Sequence, residues 1–168
     1  MVEIIVAVAI VGTSFVGILL SLNQALRFDK ILTEKTTALY LAQEGIEIVR
    51  NIRDSNRLAD KPWDQDIPTG VFIPILNNGE WELNSVGAGE SWKLKVYFDP
   101  SSSMFLQTKN SSPPAGWQLT PYTRQIEISK GDFDGDGALD FEIKIKSKVW
   151  YEASSNPVVI ESFLYNWR

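Results

Sequence analysis

Residues 131 to 140, GDFDGDGALD, set Asp132, Asp134 and Asp136 two residues apart, place Gly137 next and return to an acid at Asp140. Calcium takes about six to eight hard oxygen ligands, and this spacing folds three carboxylates around one point while a glycine permits the sharp turn. Carboxylates so crowded repel one another, so a divalent cation would relieve a real cost. The order D-x-D-x-D-G matches the first half of an EF-hand loop. The bidentate glutamate that closes such a loop is absent, because its place is held by Ile143 and the nearest acid is Glu142. Expected calcium ligands are Asp132, Asp134, Asp136, the Ala138 carbonyl, Asp140 and Glu142. The competing reading is an acidic, glycine-rich hairpin turn kept solvated by its charge.

Little other chemistry is open to the chain. It holds no histidine and no cysteine. A Ser-His or Cys-His nucleophile pair and an ordinary zinc site are therefore excluded, and an enzyme is not expected. Disulfides are excluded too, so a calcium clip would supply a tie that small extracellular domains often make covalently. A net charge of −5 and a pI near 4.8 argue against a nucleic-acid surface.

The acidic loop needs a scaffold on both sides. Beyond Asn77-Asn78-Gly79 the pattern alternates with period two, giving strand candidates at Trp81–Asn84, Trp92–Asp99, Met104–Lys109, Thr123–Ser129, Asp140–Trp150 and Val158–Tyr165. Ile126 and Ile128 alternate with Gln125 and Glu127, and Phe141, Ile143 and Ile145 alternate with Glu142, Lys144 and Lys146. This is the signature of a half-buried antiparallel sheet. Residues 60–80 carry three of the eight prolines and read as a connecting loop with one short strand.

That sheet must bury its apolar face, and the first third of the chain offers the partner. After Glu3 come nineteen uncharged residues, Ile4 to Leu22. As a helix they span about 29 Å, close to the hydrocarbon thickness of a bilayer. A cleaved secretory signal fits poorly, because the only charge before the core is negative and no turn follows it. Residues 23–57 contain no proline, and apolar or small side chains recur at Ala38, Leu41, Ala42, Gly45, Ile48, Val49 and Ile52. The spacing of three and four predicts one continuous helix from about Val2 to about Asn56. The face carrying Leu39, Ala42, Ile46 and Val49 is expected to meet the sheet. Three regions follow: 1–23, a hydrophobic membrane or filament-core segment; 24–57, its amphipathic continuation; and 58–168, a loop and antiparallel sheet.

The segment VEIIVAVAIVGTSFVGILL resembles the N-terminal segment of a mature type IV pilin or type II secretion pseudopilin. LYLAQEGIEIVRNIRDSNR, residues 39–57, is similar to the amphipathic helix that follows it in prepilin-type proteins, and LYNWR, residues 164–168, to their final strand. The resemblance implies a pilin-like α+β fold and a structural subunit that passes from the bacterial cytoplasmic membrane into an extracellular filament. Its partners would be identical or related subunits, a prepilin peptidase and the pilus assembly machinery. It also implies that Glu3 neutralises the terminal amine of a neighbouring subunit. The residues alone allow a second role, in which Glu3 sits at the water interface and complements the positive helix N-terminus. In the family the glutamate is fifth and follows a methylated phenylalanine; here it is third, and Met1 stands where a leucine would be. A reading frame opened at an internal leucine-type codon is expected, and a trimmed chain is the alternative.

Gly12 and Gly17 interrupt the apolar run, allowing either close helix packing or local loosening. Arg50, Arg53 and Arg57 read as a solvated flank, and most tryptophans as packing residues of the sheet–helix core. A membrane-anchored calcium-binding or adhesive module that never polymerises is the alternative function.

Overall fold

The computed structural model describes residues 1–133, 142–152 and 154–166. A single helix, α1 (Val2–Leu58), precedes and packs onto an antiparallel sheet, so the chain is an α+β protein. The helix ends two residues later than expected, on a left-handed turn. Asp60 adopts φ 54°, the Asp60 N–H donates to the Arg57 carbonyl at 3.1 Å, and the Lys61 N–H donates to the Asn56 carbonyl at 2.9 Å. These paired bonds satisfy carbonyls that a helix end leaves open, with aspartate in the place glycine usually takes.

The chain divides into two compact units, Met1–Thr36 and Thr37–Arg168. In the first, α1 is exposed on every side through Thr33. Its polar side chains turn back onto the helix: Thr13 and Ser14 donate to the Ala9 and Ile10 carbonyls at 3.0 and 2.7 Å, and Ser21 to the Gly17 carbonyl at 3.0 Å. Hydroxyls satisfied in this way remove the main penalty for placing them in an apolar surround.

Among the described residues of the second unit seven strands form the sheet: β1 (Gly70–Asn77), β2 (Glu80–Ser85), β3 (Lys95–Asp99), β4 (Met104–Leu106), β5 (Gln118–Gly131), β6 (Glu142–Tyr151) and β7 (Ser154–Leu164). β5 organises it. It pairs with β3 over its first half, with β1 at Ile126–Ile128, and with β6 from Thr123 to Gly131; β6 in turn pairs with β7. The alternation read from the sequence is the burial pattern. Ile126, Ile143 and Ile145 are wholly buried with Val49 of α1, and Ala38, Leu41 and Ala42 join Val96, Tyr122 and Val149 in a second cluster.

Several expectations need correction. Leu39 lies off the buried face and is 46% exposed. Trp92 belongs to a 3-10 turn, Ser91–Leu94, rather than to β3. β4 stops at Leu106 because the Gln107 side chain turns inward to make hydrogen bonds of its own. β1 is a full strand with Phe72 to Ile75 buried, where only a short strand was expected. Pro74 masked it. That residue falls beyond Phe72, where β1 has left β5 and keeps only β2, an edge position that tolerates a missing N–H. β5 starts five residues early and passes through Pro121, with a register shift against β3 between Lys95 and Tyr97.

Candidate assembly helix and metal loop

Glu3 lies in the first turn of α1, where its charge complements the helix N-terminus. It is exposed, as are Ile4, Ile10, Val11, Phe15, Ile18 and Leu20 along the helix that follows it, each at 60% or more. Apolar surface left in water costs about 25 cal/mol per Å², so a row of such side chains requires another environment. The segment is long and apolar enough to cross a bilayer.

Asp132 and Glu142 stand at the mouth of the β5–β6 hairpin, one residue past Gly131 and directly opposite it. Asp132 is exposed. Glu142 is 6% exposed, and its Oε2 accepts the Phe133 N–H at 3.2 Å. Phe133 in turn lies against Phe163 of β7, ring centroids 5.8 Å apart, with the Lys144 ammonium 5.4 Å from the Phe163 ring. The hairpin mouth is thus tied to the last strand through an aromatic pair and a cation. Asp134, Asp136, Ala138 and Asp140 lie outside the described residues. The donor set fits a hard divalent cation, since every expected ligand supplies oxygen and none supplies nitrogen or sulfur.

One constellation escaped the sequence reading. Arg124 on β5 is completely buried, at a position that its strand's alternation turns inward with Ile126 and Ile128. Its Nε donates to Gln107 Oε1 at 2.9 Å, and its Nη1 donates to Glu44 Oε2 at 2.6 Å and to the Leu41 carbonyl at 3.2 Å. Gln107 closes the ring by donating to the Arg124 and Leu94 carbonyls at 2.9 and 3.0 Å. Burial pushes the Arg124 guanidinium below its ordinary value, and the Glu44 charge opposes that shift. An arginine spaced like a core residue, with an acid one turn from the helix's buried face, was the available signal. Its partners are far away in sequence.

The arginine flank is less solvated than expected. Arg53 is 8% exposed and bonds Asp54 at 2.8 Å, Arg50 bridges Glu47 at 2.7 Å and Ser162 of β7 at 2.9 Å, and Arg57 reaches Asn166 at 2.8 Å. Arg50 and Arg57 fasten α1 to β7 and the residues just after it. Trp63 and Trp81 pack at the margin of the core, but none of the described tryptophans is fully buried. An open groove of about 830 Å³ lies between the end of α1 and β2, lined by Asn51, Ser55, Lys61, Asp66 and Trp81 among others.

The fold and its exposed segment define an α+β protein built on one long N-terminal helix, apolar enough in its first unit to enter a membrane. Comparison with family models, with curated proteins and with solved structures finds no match.

Proposed function

We propose that this chain is a structural subunit of a type IV pilus or a related filament, such as a type II secretion pseudopilus. Its hydrophobic helix segments would leave the bacterial membrane and bundle with those of identical or related copies. One observation carries the reading: an acid in the first turn opens an exposed apolar helix that continues unbroken into a helix packed on a sheet. A plain membrane tether needs neither the carboxylate nor the continuity. In an apolar bundle Glu3 requires a cationic partner, which the terminal amine of a neighbour supplies. Calcium, held by Asp132, Asp134, Asp136, the Ala138 carbonyl, Asp140 and Glu142, would stiffen the hairpin beside the last strand.

Fractionation of producing cells tests the proposal. Shearing should release the chain with extracellular fibres, and Glu3→Ala should leave it in the membrane. A wild-type chain confined to the membrane fraction, with no sheared polymer, would overturn the reading in favour of a solitary anchored module.

A further inference from the structure

Within the first unit, beyond the apolar run, Ala25, Phe28, Leu32 and Lys35 are spaced by three, four and three residues. At about 100° per residue they fall within one strip of α1 about 80° wide. Phe28 and Leu32 are 54% and 61% exposed. Lys35 is the only charge inside the strip, and Asp29 borders it; Arg27, Lys30 and Glu34 project from the opposite side of the helix. Lys30 and Glu34 pair with each other at 3.6 Å, whereas Asp29 and Lys35, both exposed, have no ion-pair partner among the described residues.

We infer that this strip is a contact between copies of the chain, in which Lys35 of one copy pairs with Asp29 of the next, six residues away along parallel helices. The inference rests on the filament reading above and adds to it an axial offset of about 9 Å at the helical rise. Three features select a second copy as the occupant. The helix has already covered the hydrocarbon thickness by Leu22, and the charges at Arg27, Asp29 and Lys30 hold residues 25–35 outside it. Alternate spacing of three and four is the repeat by which helices pack on helices, and a single polar residue in such a seam fixes register. Lys35 inside the strip and Asp29 on its border are opposite charges displaced along the axis, so the strip with its border complements itself only when shifted.

The direction of the pairing follows from the membrane. An antiparallel pair centred on Leu32 would satisfy both charges at once, but it would send the two apolar segments to opposite ends. Copies inserted in one bilayer lie parallel. Each then offers Asp29 to one neighbour and Lys35 to another, a head-to-tail contact that does not close and therefore propagates.

The experiment is charge exchange in the full chain, scored by fibre yield, with circular dichroism to confirm that each variant folds. Asp29→Lys and Lys35→Asp should each abolish fibres, and the double exchange should restore them. Wild-type fibres with undiminished yield from either single variant would overturn the pairing and leave the filament reading standing. Absence of wild-type fibres would remove the filament reading, and the pairing with it. Because the chain has no cysteine, crosslinking is a clean second readout. An equal mixture of D29C and K35C chains should form a mixed disulfide, since a bridge needs Cα atoms within about 7 Å. A homodisulfide from Leu32→Cys would establish the antiparallel pair instead and overturn the inference. Loss of vesicle binding in the single variants with assembly unchanged would assign the strip to lipid and overturn it as well.

Discussion

Gly45 of α1 packs directly against Ser147 of β6: a Cβ on Gly45 would sit 2.5 Å from Ser147 Oγ, 3.3 Å from its Cβ and 3.4 Å from Ile126 Cδ1. No conformational demand for glycine explains this position, since it lies inside a regular helix. It is glycine because the Ser147 side chain fills the space a Cβ would need. Gly45→Ala should gain about 1 kcal/mol of helix propensity and lose more to overpacking, for a net destabilisation of about 1–2 kcal/mol. Ser147 is fully buried and its Oγ has no partner among the described residues. Gly45→Ala combined with Ser147→Gly should therefore recover much of the loss in urea unfolding, and failure to recover would place the strain elsewhere.

Arg124 of β5 supplies a second anchor between α1 and the sheet. Removing its counter-charge with Glu44→Gln leaves a buried guanidinium under-compensated. Because the Glu44 side chain is 34% exposed, the expected cost is about 2 kcal/mol, the lower end for breaking a buried charged bond. Replacing Arg124 by Met together with Glu44→Gln should cost less than Glu44→Gln alone, because an apolar side chain leaves no charge to compensate. Denaturant midpoints for the wild-type and the two variants decide this.

Calcium should raise the melting temperature. At about a hundredfold excess over the dissociation constant, one site contributes about 2.7 kcal/mol, or a rise of roughly 5–10 °C for a domain of this size. Asp132→Asn together with Asp136→Asn should abolish the rise. Phe133→Ala should lower the metal-free melting temperature while leaving a calcium response, because it removes the contact with Phe163 rather than an oxygen ligand. A melting curve indifferent to calcium and to chelator would return the loop to the solvated-turn reading.

The outer face of β6 and β7 predicts a pH window. Hydrogen bonds from Lys146, then Lys144, hold the Glu161 carboxyl below its ordinary 4.5, and the same carboxylate holds Lys146 above its ordinary 10.5. A depressed acid contributes stability that is present above 4.5 and is lost as pH falls through its folded value. A raised lysine contributes stability that is present below 10.5 and is lost as pH climbs through its folded value. Glu161→Gln should therefore lower stability between these limits and narrow its difference from wild type outside them. The Lys146 and Glu161 side chains are 35% and 40% exposed, so the effect is small and should shrink in salt.

Legibility from the sequence tracks the range of the interaction. The helix and the inward positions Ile126, Ile128, Ile143 and Ile145 were readable because helical and strand periods are local. The face at Ala38, Leu41, Ala42, Val49 and Ile52 was readable for the same reason, whereas Leu39, one residue off that stripe, was misplaced. Strand β1 was legible only as one short strand within a connecting loop, because Pro74 is unfavourable in a strand until its neighbours are known. The Arg124–Gln107–Glu44 ring was invisible, because which acid meets a buried arginine depends on pairings eighty residues apart in the chain. At the hairpin mouth the sequence indicated donors at Asp132 and Glu142; that Phe133 ties the loop to β7 required the register of β6 against β7.

The most direct measurement of the central claim is electron-microscopic reconstruction of fibres sheared from cells that produce this chain. The expected result is a helical repeat of this polypeptide, with residues 2–33 forming a packed axial core and the sheet units outside it. A fibre built from other polypeptides, or a chain recovered only as single copies in the membrane, would contradict the account.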